Sequence, residues 1–128
     1  MDRMEIARVD PPGSDDPGIT NGVVVTGAQR WLYITAQPPF LDDHTVPEGF
    51  EAQYRAVWAN LVKVLKEAGM GVENLVKVNT YLARRSDREA NSLLRQEMLG
   101  AHKVAMCIII ADMWDESWLL EIDAVAAA

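Results

Sequence analysis

The chain has 128 residues, 49% apolar and 24% charged, ordinary proportions for one globular domain over 1–128 with a real hydrophobic core. A formal net charge of −7 argues against a nucleic-acid partner, since a backbone binder needs clustered Lys and Arg to displace counterions from phosphates. No run of ~18 apolar residues is present to span a bilayer, "MDRMEIARVD" has no apolar signal-peptide core, and the single Cys107 has no internal disulfide partner, so a reducing cytoplasm is the expected compartment.

The first predicted strand covers about 4–9, and "DPPGSDDPG" (10–18) reads as an irregular loop. "GVVV" and "WLYITAQ" predict strands at 22–26 and 31–37, and "TGAQR" between them suits a hairpin turn. Pro38 and Pro39 stop the second strand, because proline donates nothing to a ladder. Thr45 and Glu48 have capping-box spacing before a helix whose apolar stripe is Phe50, Tyr54, Val57, Trp58, Leu61, Val64, Leu65 and Ala68. Gly69 then stands where a helix end wants positive φ. "NLVKVNTYL" alternates and places Val76, Val78, Thr80 and Leu82 on one strand face. Ser86 and Glu89 give a second capping-box pattern, opening a helix that Gly100 ends. "VAMCIIIA" and "WLLEIDAVA" are two final strands around the polar turn "DMWDES".

The order βββ-α-β-α-ββ predicts an α+β arrangement, a sheet with two helices packed on one side. In the strand at 104–111, Met106, Ile108 and Ile110 share one face, and Cys107, Ile109 and Ala111 the other. Both faces are apolar, and two helices cover only one. Each large side chain is worth about 1.5–3 kcal/mol when buried, so a second copy of the chain is the expected cover. Loop 10–18 or loop 38–48 folding back is the alternative.

"ITAQPPF", "NLVKVNTYL" and the closing "LEIDAVA", in this order and over about 19–126, resemble the YjgF/Rid (reactive intermediate deaminase) family. The resemblance implies a chorismate-mutase-like fold and a homotrimer with small-molecule clefts between subunits. It also implies cofactor-free, metal-free hydrolysis of imines or enamines to keto acids and ammonia. On this resemblance Glu121 falls on the glutamate that handles water. Thr35, Ala36 and Gln37 fall on a strand-end substrate-binding turn, with alanine replacing a glycine. The second-helix asparagine falls at Ser92, or at Asn91 with a one-residue slip, and an expected aromatic aligns near Ile19. The arginine that holds the substrate carboxylate aligns with Met106, and "HKVAMCIII" contains no arginine. A thioether lacks the guanidinium fork, and its loss weakens such a contact by about 2–4 kcal/mol. Lys103 lies three strand steps away, ~10 Å. The expected ligand is therefore a small reactive compound other than the usual 2-imino acids, neutral or aromatic, in a pocket formed with Met106 and Cys107. A binding or regulatory trimer without catalysis is the alternative. Ribonuclease activity, reported for some relatives, is opposed by the acidic balance.

From pattern alone, Glu121 and Asp123 either lie on a half-exposed face of the last strand or line a cleft. Asp123 is read as structural, and Cys107 as a small buried core residue rather than a nucleophile, with no histidine placed to activate it. His102 is a candidate for the cleft lining, and Trp114 for its rim.

Overall fold

The computed structural model describes residues 3–14 and 18–128. Its strands are β1 (Glu5–Val9), β2 (Ile19–Thr20), β3 (Gly22–Thr26), β4 (Trp31–Gln37), β5 (Leu75–Leu82), β6 (Val104–Ile110) and β7 (Leu120–Ala127). The helices are α1 (Phe50–Glu67) and α2 (Arg88–Leu99), with 3-10 turns at Val72–Asn74 and Arg85–Asp87. Five strands form a mixed sheet in the order β2-β6-β5-β7-β4, with β6 parallel to β2 and β5 and the other neighbours antiparallel. Both helices pack on one face of it, as the sequence predicts.

The core follows from period. Phe50, Tyr54, Val57, Trp58, Leu61 and Leu65 bury one stripe of α1 against Val78, Leu82, Leu120, Ile122 and Ala124 of the sheet. Along β5, Leu75, Val76, Val78, Thr80 and Leu82 are buried and Lys77, Asn79 and Tyr81 only partly so. Gly69, at φ 72, ends α1: its N–H bonds the Lys66 carbonyl and Met70 N–H bonds that of Leu65, a Schellman closure.

Several expected local features are replaced. The strands at 22–26 and 31–37 exist, but β3 pairs with β1 and β4 pairs with β7, so they make no hairpin. The backbone N–H groups of Gln29 and Arg30 both go to the Ala128 carbonyl, which draws the chain to the end of β7 before β4 begins. Neither capping box forms. Thr45 bonds Asp43 through its N–H and hydroxyl, and α1 starts after Gly49, at φ 91. Asp87, at the start of α2, is held by the Arg84 guanidinium at 2.9 and 3.2 Å. The two-residue β2 has no periodic signal and was not expected. Its neighbour Asp10 accepts from Asn21 N–H (2.8 Å), Asn21 Nδ2 (3.0 Å) and Thr20 Oγ1 (2.9 Å), bonds that hold the Asp10 carboxyl below the usual range.

Loop 38–48 does not cover β6. It is fastened to α1, where Asn60 Nδ2 donates to the Pro38 and Phe40 carbonyls and Lys63 pairs with Asp42. In the single chain Ile108, Ile109 and Ile110 stay 36–45% exposed. Part of loop 10–18 lies outside the described residues.

One buried side chain sets the entry to β7. Gln53, 3% exposed, donates to the Pro47 and Ser117 carbonyls and accepts from Leu119 N–H at 2.7 Å. Gln53→Leu leaves these groups without partners and is expected to lower the free energy of urea unfolding by roughly 1–3 kcal/mol. Leu93→Ala, at a 64%-exposed site on α2, should stay within about 0.5 kcal/mol. Equal denaturation midpoints for the two variants would show that Gln53 does not fix this junction.

Candidate functional site

The alternation of β5, β6 and β7 divides the predicted site residues between two faces. Leu120, Ile122 and Ala124 point to the helices, so Glu121 and Asp123 point away, beside their register partners Tyr81 and Asn79. Asn79 Nδ2 donates to one Asp123 oxygen and the Tyr81 hydroxyl to the other, each at 2.8 Å. That bond to Asp123, with burial next, raises the Tyr81 pKa. Glu121 has no such donors. Partial burial, and then the Asp123 charge, raise its carboxyl above the ordinary 4.5.

Cys107 pairs in register with Asn79 and is exposed on this same face, so the buried-core reading fails. The cause is topological: both helices lie on the opposite side. At the β4 end, Ile34 pairs with Ala124 and Gln37 with Ile122, which sets Thr35 and Ala36 against the single residue Asp123. This bulge kinks β4 beside the acids. Thr35 is exposed, Ala36 is partly buried, and Gln37 Nε2 donates to the Thr35 carbonyl at 2.9 Å.

Asn91, Ser92 and Met106 lie on the helix side. Asn91 and Ser92 line a cavity of about 420 Å³ between α2 and β6, with Arg85, Arg88, Arg95, Ile19, Ile108 and Ile110. Both candidates from the second helix therefore reach one pocket. Met106 is not among its lining residues but meets one of them, and the three arginines of the lining depart from the expected less cationic, more apolar pocket. The Arg95 guanidinium lies 3.8 Å from Met106 Sδ and 3.3 Å from Ser92 Oγ. The side chain is 4% exposed and its Nε–H has no partner among the described residues. Burial pushes the neighbouring Tyr54 phenol up to about 12, so it offers Arg95 no negative charge at neutral pH. The sequence carried a signal for this arginine: Arg88, Asn91, Ser92 and Arg95 are spaced to share one helix face.

His102 is structural in this arrangement, its Nε2 2.7 Å from the Leu75 carbonyl. Trp114 stands 92% exposed on the β6–β7 connection. Among the described residues, no group of three or more His, Cys, Asp or Glu side chains is placed to hold a metal ion, and no helix is long and apolar enough to cross a membrane.

A one-faced α+β sheet with a small-molecule-sized cavity beside its penultimate strand defines the architectural class. The family model described as Endoribonuclease L-PSP matches residues 19–128, and the chain belongs to this family, the YjgF/Rid family. The mitochondrial protein mmf2 of Schizosaccharomyces pombe is 30% identical over 99 residues, covering 75% of this chain and 79% of that protein. The Rid-family protein YyfB of Yersinia pestis superposes with a TM-score of 0.84 at 23% identity, over 96% of this chain and 98% of that one. A putative endoribonuclease of Thermotoga maritima gives a TM-score of 0.72 at 19% identity, over 100% and 98%. These two likenesses establish the chorismate-mutase-like (YjgF-like) fold.

The raised pKa of Glu121 has a stability consequence. The fold favours the protonated acid, so the penalty is absent below the ordinary carboxyl range and fully present above the raised pKa. Glu121→Gln is therefore expected to increase the thermal midpoint at pH 7–8 and to leave it unchanged near pH 3. A pH-independent difference between wild type and variant would contradict this environment for Glu121.

Proposed function

We propose that the protein hydrolyses a small imine or enamine without a cofactor, as a homotrimer with one cleft at each subunit junction. The carrying observation is Glu121: a partly buried carboxylate with a raised pKa, on a sheet face that the chain's own helices leave open. In the reaction the Glu121 carboxylate takes a proton from water as the oxygen adds to the imine carbon. Glu121 returns that proton to the imine nitrogen, giving a carbinolamine; the hydroxyl proton then passes through Glu121 to nitrogen as the C–N bond breaks, and a carbonyl compound and ammonia leave. A carboxylate with a raised pKa suits both transfers.

The trimer supports this chemistry for a geometric reason. Glu121 and the α2 cavity lie on opposite faces of one sheet, so a site using both draws them from different copies. A neighbouring copy would also cover Ile109 and Cys107. Thr35, Ala36 and Gln37 would orient the substrate from the β4 bulge, and Asn91, Ser92, Met106 and Cys107 would line its other walls. We assign the protein to the cytoplasm on its one unbridged cysteine.

Ammonia release from freshly generated imines tests the reading, with substrates both bearing and lacking a carboxylate. Glu121→Gln is expected to lower turnover by roughly 10²–10⁴-fold while the oligomer survives, the span of a lost general acid–base group. Wild-type turnover should rise with pH through the raised Glu121 pKa as the base form appears. No turnover of any imine, or a Glu121→Gln variant as active as wild type, would overturn the proposal.

A further inference from the structure

We infer that the cavity between α2 and β6 is a binding site for a short dianion, with Arg95 holding one anionic group and Arg88 with Arg85 holding the other. The inference rests on the reading of this cleft as a small-molecule site, and it names the ligand's charge. Three guanidinium groups line one cavity, and among the described residues none of its lining is acidic. The ion pairs among the described residues use Arg55, Arg84 and Lys63 instead. Among the described residues, Asp87 is held by Arg84 and Glu97 by Arg55 at 2.8 Å, while Glu89 borders an adjoining outer groove that Arg85 and Arg88 also line.

Arg95 carries the argument. It is 4% exposed, yet among the described residues its side-chain hydrogen bonds go to a thioether, a weak acceptor, and to a hydroxyl at 3.3 Å. A buried guanidinium in native structure normally meets a carboxylate or phosphate through parallel hydrogen bonds. Asn91 makes the second, independent point: at 2% exposed, its Oδ1 also lacks a partner among the described residues. It lies one helical turn from each of Arg88 and Arg95, so it is placed to accept from a donor on the ligand's middle. Ile108 and Ile110 supply apolar walls for a short carbon skeleton. Arg88 and Arg85 are exposed at the mouth, where the second anionic group, carboxylate or phosphate, is met.

Calorimetric titration of the full chain tests this with succinate, 3-phosphoglycerate, propionate, succinamide and a short oligoribonucleotide. Succinate or 3-phosphoglycerate is expected to bind roughly tenfold or more tightly than propionate, the effect of one added charge-assisted contact, and succinamide not measurably. Whichever dianion binds more tightly identifies the second group. Arg95→Gln should weaken both dianions by roughly tenfold to a hundredfold. The exposed Arg88→Gln, which keeps the core intact, should remove the preference for succinate over propionate and leave propionate binding unchanged. Equal binding of succinate and propionate, undiminished dianion binding by Arg95→Gln, preference for the oligoribonucleotide, or no binding of either dianion would each overturn the inference. Binding is read without turnover, so failure of imine hydrolysis leaves this result standing. Hydrolysis without dianion preference would sink this inference alone.

Discussion

The sheet is covered on one side only, and most of what distinguishes this molecule follows from that. Both helices lie over the face formed by Val78, Leu82, Leu120 and Ile122. β2 pairs with β6 only at Val104 and Ala105, which leaves the strand from Met106 onward with a hydrogen-bonded neighbour on one side. An apolar strand with one bare edge is a surface that native proteins normally cover. Ile108, Ile109 and Ile110 each retain more than a third of their surface in the single chain. In the proposed trimer, covering that surface is also what brings an acid from one copy toward the α2 cavity of another.

Much of the fold was legible because strong periodicity survives in the large elements. The α1 stripe, the alternating β5 and the doubly apolar β6 are all statements about which side chains can leave water together. Weaker local signals failed where other partners, near or far in the chain, displaced them. Thr45 has the right spacing to cap a helix, but Asp43 offers its amide a nearer acceptor. Ser86 loses the corresponding role to an Arg84–Asp87 pair. The expected hairpin gives way because the chain after Gly27 finds its hydrogen bonds at Ala128, a contact that no local window contains.

The candidate site was legible in part for the same reason. Glu121, Asp123 and Cys107 could be assigned to strand faces by alternation, although which face stays open depends on the placement of both helices. Arg95 shows the opposite case. Sequence alignment asks whether one position on β6 is an arginine, whereas the cavity needs only that a guanidinium arrive there. Helix α2 delivers one to within 3.8 Å of Met106. Which side chains meet at the cavity depends on how α2 packs against β6, which no single position in the chain records.

The central claim is that a second and third copy complete what one chain leaves open. Sedimentation equilibrium of the purified 128-residue chain at micromolar concentration tests it most directly. The account predicts a single species at three times the 14.2 kDa chain mass, persisting on dilution. A stable species at the mass of one chain would contradict it.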